Sequence, residues 1–283
     1  MTYLDELARE LACVGFRGAR RARILAEVED HLREAGDADA FGSPQLVAQR
    51  FADELATSGA RRGAMATFLA LAPIGVAYAF LLAPFNAPPD ITSGQIVPLG
   101  VAAALLMVLA PQIALASGVL AVARAWHLRR GPVAPAAEVR ILRRRAGVAL
   151  VAGAATLASL AVYAVDYRAG LPAWWIAFAL VTAVVGTVVL AVAAMAVGRT
   201  SRLRPQTTGS AGDVFDDVAP IVDRLPFPLR GHPWRFCLLV AATVAGAALL
   251  AGGVDEGPRN AVAELVAVCA GFAALGRYLG LRQ

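Results

Sequence analysis

Glu27 and His31 stand four residues apart in a stretch of helical periodicity. That separation sets two side chains on one helix face, where a carboxylate and an imidazole can share a proton or a metal ion. The pair supplies two ligands at most, and a zinc site needs three or four, so a polar surface patch for a partner helix is the favoured reading. Asp213, Asp216 and Asp217 form a second group. At helical spacing they share one face of a segment whose other face carries Val214, Phe215, Val218 and Ile221/Val222. Ser210 with Asp213 can cap this segment, and Pro220 shortens or kinks it. An anionic membrane surface would repel it. It is therefore expected to dock on protein, either the amino-terminal helices or the Arg-rich stretch 124–145, with metal binding by the carboxylates as the alternative. Glu264 is the carboxylate that lies well inside an apolar stretch, and an ionisable group there is a functional candidate by default. The other reading of Glu264 is an interfacial or protonated, hydrogen-bonded side chain, with water about one helical turn away.

No H-E-x-x-H, G-x-S-x-G, G-x-x-x-x-G-K-[ST] or dinucleotide-binding fingerprint occurs. His127 and His232 have no companion motif. Cys13, Cys237 and Cys269 show neither close pairing nor metal-type spacing in sequence and read as small apolar packing residues. No catalytic, cofactor or metal site is expected, and a role other than enzyme follows.

The elements that position these residues announce themselves in the composition. The 283 residues are 58% hydrophobic and 17% charged, against roughly 45–50% and about 25% in ordinary soluble domains. This excludes a disordered chain or a plain soluble enzyme. Six stretches have the roughly 20 apolar residues that cross a hydrocarbon core: 64–83, 97–123, 146–165, 173–197, 236–253 and 260–277. Continuous runs without period-two alternation must satisfy their backbone as helices. All 26 basic residues are Arg. Residues 1–62, the stretch 124–145, the stretch 198–235 and the carboxyl terminus hold 24 of them, leaving Arg168 and Arg259 on the other side. The positive-inside rule then makes both termini cytoplasmic. The net charge of +5 becomes a topology signal, and direct nucleic-acid binding is not expected. Trp126, Trp174, Trp175 and Trp234 fall at span ends, where interfacial aromatics belong. Ala242 and Gly246, with Ala263, Ala267 and Gly271, form small-residue stripes that would let the fifth and sixth spans approach. The first long apolar stretch begins about sixty residues in, so no amino-terminal leader is expected.

Residues 1–62 read as a soluble unit of three helices. Thr2 and Asp5 make a capping box before Leu4, Leu7, Ala8 and Leu11. A second helix, from about Arg17 to Ala35, carries Ile24, Leu25, Val28 and Leu32 on one face and ends at Gly36. A third starts at Ser43 as N-cap with Pro44 at its first position, carries Val47, Phe51 and Leu55, and is expected to stop at Gly59. Such a unit is too small for a large core of its own. The runs Tyr3-Leu4-Asp5-Glu6-Leu7, Ile24-Leu25-Ala26-Glu27-Val28-Glu29-Asp30-His31-Leu32 and Ala48-Gln49-Arg50-Phe51 resemble the HAAS domain, a helical module at the amino terminus of many bacterial integral membrane proteins. Ala52 stands where that family often has Gly. The resemblance covers about residues 1–58 and implies signalling in association with PadR-like transcriptional regulators.

The expectation is thus an all-α protein: a three-helix cytoplasmic domain, residues 1–62, and a six-helix transmembrane bundle, residues 63–283, in a bacterial inner membrane. Its expected role is regulation or signalling, with the bilayer, a PadR-like regulator or other cytoplasmic protein, and a second copy of the chain as candidate partners. The rival role is a transporter or permease subunit, motivated by the span count, by Pro84, Pro98 and Pro111, and by Glu264.

Overall fold

The computed structural model describes residues 2–35, 42–82, 97–131, 133–210 and 233–279, and among them the only regular elements are helices. These are α1 (Tyr3–Cys13), α2 (Gly18–Ala35), α3 (Pro44–Leu82), α4 (Val97–His127), α5 (Ala136–Asp166), α6 (Ala173–Ser201) and α7 (Pro233–Leu279), with a 3₁₀ turn at Leu128–Arg130 after α4. Four of them are long and apolar enough to cross a membrane: α3, α4, α5 and α6.

The caps explain where the first helices begin and end. Thr2 accepts from the Asp5 amide, and the Asp5 carboxylate accepts from the Thr2 amide at 2.9 Å, the reciprocal pair expected. The end of α1 is a Schellman turn. Gly15, at φ +105, donates to Ala12 O, while the Phe16 amide donates to Leu11 O at 2.9 Å. Phe16 and Leu11, 1% and 0% exposed, make the hydrophobic contact that accompanies this turn. Ser43 receives the Leu46 amide at the start of α3, as its sequence position predicts.

Gly59 does not end the third helix. α3 continues through it and through Arg61-Arg62 to Leu82, 39 residues in all. Gly59 is buried and sits among Ala56, Ala60 and Ala64, which are also buried; a glycine held by packing costs a helix only about 1 kcal/mol, too little to break it. The amino-terminal helices therefore share their core with the long helices. Leu7, Leu11, Phe16, Val28 and Ala48 pack in one cluster with Ala121 and Ala125 of α4, Val139 and Leu142 of α5, and Leu203 after α6. At the opposite end Tyr78, Met107, Leu160, Tyr163 and Trp175 form another cluster. Helices α3 to α6 consequently run antiparallel to their chain neighbours, with α4 against α5 the most extensive contact. Gly153 and Gly186 mark the tightest approaches between them: a Cβ on Gly153 would lie 2.7 Å from Leu71, and one on Gly186 would lie 2.7 Å from Leu157.

The Arg-rich stretch 124–145 is mostly helix. α4 and the 3₁₀ turn reach Arg130, and α5 begins at Ala136. Likewise α6 carries Arg199 and ends at Ser201. Residues 254–259, expected as a loop, are helical within α7. α7 nevertheless doubles back. A straight 47-residue helix would be about 70 Å long, yet the Trp234 and Phe272 rings are 5.9 Å apart and Cys237 meets Cys269. A Cβ on Gly257 would fall 2.6 Å from Leu249 O, which places the reversal between them. The two arms have the positions of the fifth and sixth apolar stretches. Of the expected small-residue stripes Ala267 is buried, whereas Ala242 and Ala263 are exposed and a Cβ on Gly246 or Gly271 would meet nothing among the described residues; on the first arm it is Ala241 and Ala245, beside Cys237, that are buried.

Candidate functional site

The end of the bundle that carries α1 and α2 concentrates buried charge. Arg124, in the last turn of α4, and Glu138, in the first turn of α5, form a two-point ion pair. Nε lies 2.7 Å from Oε2 and Nη2 lies 2.5 Å from Oε1, with the side chains 3% and 6% exposed. Each residue sits at the helix end whose dipole favours its charge. Three other arginines bond main-chain carbonyls. Arg61 of α3 donates to Leu128 O and to Gly131 O beyond α4. Arg143 of α5 donates to Ser201 O and Leu203 O at the end of α6, and the fully buried Arg145 donates to Leu120 O at 2.9 Å. A helix terminus leaves carbonyls without partners, and a guanidinium, with several donors in a fixed plane, serves two of them at once.

The chain leaving α6 is tied across this end. The Arg204 amide donates to Val14 O, the Gln206 amide and Thr207 hydroxyl donate to the two Asp53 carboxylate oxygens at 2.7 and 2.6 Å, and Thr207 O accepts from the Ala136 amide. Residues 202–210 thus strap α1, α3 and α5 together. Thr57, completely buried, accepts from the Ala134 amide at 3.1 Å and secures the turn between α4 and α5.

Of the residues singled out from sequence, Glu27 and His31 lie exposed on α2. His31 faces Glu34, with Nδ1 3.9 Å from its carboxylate, rather than Glu27. Asp213, Asp216 and Asp217 lie outside the described residues. Glu264 has a side-chain partner: the Gln112 side-chain amide of α4 donates to it, and both residues are partly buried. Gln112 lies midway along the apolar α4 (Val97–His127). Tyr78 of α3 lies within electrostatic range of Glu264 and donates its hydroxyl to Met107 O. The reason is local. Pro111 has no N–H to offer the carbonyl four residues earlier, so Tyr78 supplies the missing donor. Trp175 is 1% exposed and donates Nε1–H to Leu81 O at the end of α3, 2.9 Å away, so its ring packs against protein. Trp126, Trp174 and Trp234 are more than half exposed.

No group of three or more His, Cys, Asp or Glu that could hold a metal occurs among the described residues. Sequence reasoning missed the Arg124–Glu138 pair, although a signal was present: Glu138 is the one acid among seven arginines of the stretch 124–145. Compared with known protein families, with curated proteins and with solved structures, the chain matches none.

Proposed function

We propose that this chain is an integral membrane protein of regulatory or signalling type whose amino-terminal helices take a cytoplasmic partner. One observation carries the reading: α3 passes without a break from the amino-terminal helices into the long apolar bundle, and both share one core. A rigid helix with a common core delivers a displacement at one end to the other, because packed interiors are not continuously deformable. In this reading α3 to α6 and the two arms of α7 make six spans of a bacterial inner membrane, with both termini cytoplasmic as the arginine distribution requires. The resemblance of residues 1–58 to the HAAS domain suggests a PadR-like regulator as the partner, and the exposed Glu27 and His31 suggest where it docks. Co-purification of a co-expressed PadR-type regulator with the full chain from membranes tests this. Capture by the wild type, weakened in Glu27→Arg/His31→Glu, is the expected result; no capture by the wild type would sink it.

A second reading, a transporter or permease subunit, is favoured by the Gln112–Glu264 contact with Tyr78 nearby. Polar groups gathered between helices inside the apolar zone are typical of solute paths. A solute flux lost in Glu264→Gln would support it, and unchanged flux in that variant would dismiss it.

A further inference from the structure

Between the α1–α2 turn and the end of α6 lies a cavity of about 170 Å³, open to solvent, lined by the exposed Arg17, Arg20, Arg199 and Arg202 together with Gly15, Phe16 and Leu203. No carboxylate lines it, and none of the four arginines makes an ion pair among the described residues. Their convergence is built in by the backbone. The Arg204 amide bonds Val14 O, and Gly15 approaches Arg202 O so closely that a Cβ would stand 2.3 Å from it. Arg17 and Arg20 also crowd the amino terminus of α2, whose first turn holds no acid. That arrangement opposes the helix dipole, and four like charges around one cavity create a positive potential that draws an anion.

The position of the cavity identifies the anion. Val188, Val192 and Met195, each more than half exposed, form one stripe of α6, and Arg199 continues that stripe one turn further, about 6 Å along the axis. An acyl chain lying on the stripe brings its headgroup to the arginines. The volume is below the roughly 300 Å³ of a drug-sized ligand site and suits a phosphate with little attached. We propose that these four arginines bind the phosphate of an anionic lipid headgroup, so that the amino-terminal helices are held to the membrane surface by lipid as well as by their core. This rests on α6 being a membrane-spanning helix.

The test uses the full chain in detergent, titrated with phosphatidylglycerol or phosphatidylcholine, with bound lipid counted by native mass spectrometry, and with inorganic phosphate as a separate arm. Phosphatidylglycerol should bind at least ten-fold more tightly than phosphatidylcholine. Arg199→Gln/Arg202→Gln should lower its affinity about 30-fold, two surface arginines being removed. Arg17→Gln/Arg20→Gln should behave alike, and Arg168→Gln should not. Arg199→Lys/Arg202→Lys should recover most of the preference and shows that the loss is not misfolding. Equal binding of both lipids, unchanged affinity in both Gln pairs, or full competition by millimolar inorganic phosphate would each overturn the proposal. So would a preference that emerges only when Asp213, Asp216 and Asp217 are changed to Asn, which would give the cavity to the chain's own acidic segment. If alkaline carbonate extracts the chain from membranes, the spanning reading of α6 itself fails; retention without lipid preference refutes the cavity alone.

Discussion

Breaking the Arg124–Glu138 pair should be costly in each single variant and much less so in the double. The two contacts at 2.7 and 2.5 Å hold side chains only 3% and 6% exposed, so water cannot replace a lost partner. Removing one member of such a pair takes the two-point counter-charge from a buried ion, at about 3–5 kcal/mol, whereas removing both removes that imbalance. Arg124→Met and Glu138→Gln keep most of the volume and isolate the charge. In a protein of this size 1 kcal/mol moves the melting temperature by about 2–4 °C, so each single variant should melt on the order of 10 °C lower. The double variant should lose far less than the sum, with a coupling energy of about 2 kcal/mol or more. The assay is thermal unfolding of the four purified proteins in one detergent, followed by helical circular dichroism. Single variants within about 2 °C of the wild type would refute the reasoning. So would a double variant that loses the sum of the two to within about 0.5 kcal/mol.

If α7 folds back, mild copper-catalysed oxidation should link Cys237 to Cys269 within one chain, read by mass spectrometry after proteolysis; a straight helix would hold them about 48 Å apart and yield no such product. Gly15→Ala should cost about 2 kcal/mol or more, because the residue has φ +105 and its new Cβ would strike Arg202 O. Gly18→Ala, at φ +55 in open space, should cost only about 1 kcal/mol, and equal melting temperatures would contradict the difference. The backbone amide of Thr2, then its hydroxyl, bond the Asp5 carboxylate and hold its pKa below the ordinary 3.8. A depressed carboxylate pKa adds stability above the unfolded value that is lost as pH falls through the folded one. Protection of the first-turn amides of α1, taken relative to the unstructured exchange rate at each pH, should therefore hold down to about pH 4 and fall below it. Thr2→Ala should move that onset upward, and identical profiles would dismiss the cap.

Much of the helical layout was legible because its causes are local. The Thr2–Asp5 box, the Ser43-Pro44 start of α3 and the Ile24, Leu25, Val28, Leu32 face of α2 depend on residues within one or two turns. Gly15 could have been read as the end of α1, since glycine is the usual residue after a helix. Gly59 misled for the same reason: a glycine signals a helix end only where packing does not oppose it. Trp175 was legible as a span-end aromatic and Glu264 as a carboxylate in an apolar run, yet their partners, Leu81 O and Gln112, come from other helices.

Hydropathy and charge order, which are sums along the chain, determined by themselves that this protein is helical, has long apolar helices and carries its arginines asymmetrically. Only the tertiary structure decided which arginines those are. Arg124 and Arg145 are buried beside Glu138 and Leu120 O, Arg61 and Arg143 close the ends of α4 and α6, and Arg17, Arg20, Arg199 and Arg202 gather around one cavity. A guanidinium has the same letter in every setting. Its role follows from which carbonyl, carboxylate or open space the packed helices place within its reach, and that depends on contacts between residues far apart in the chain.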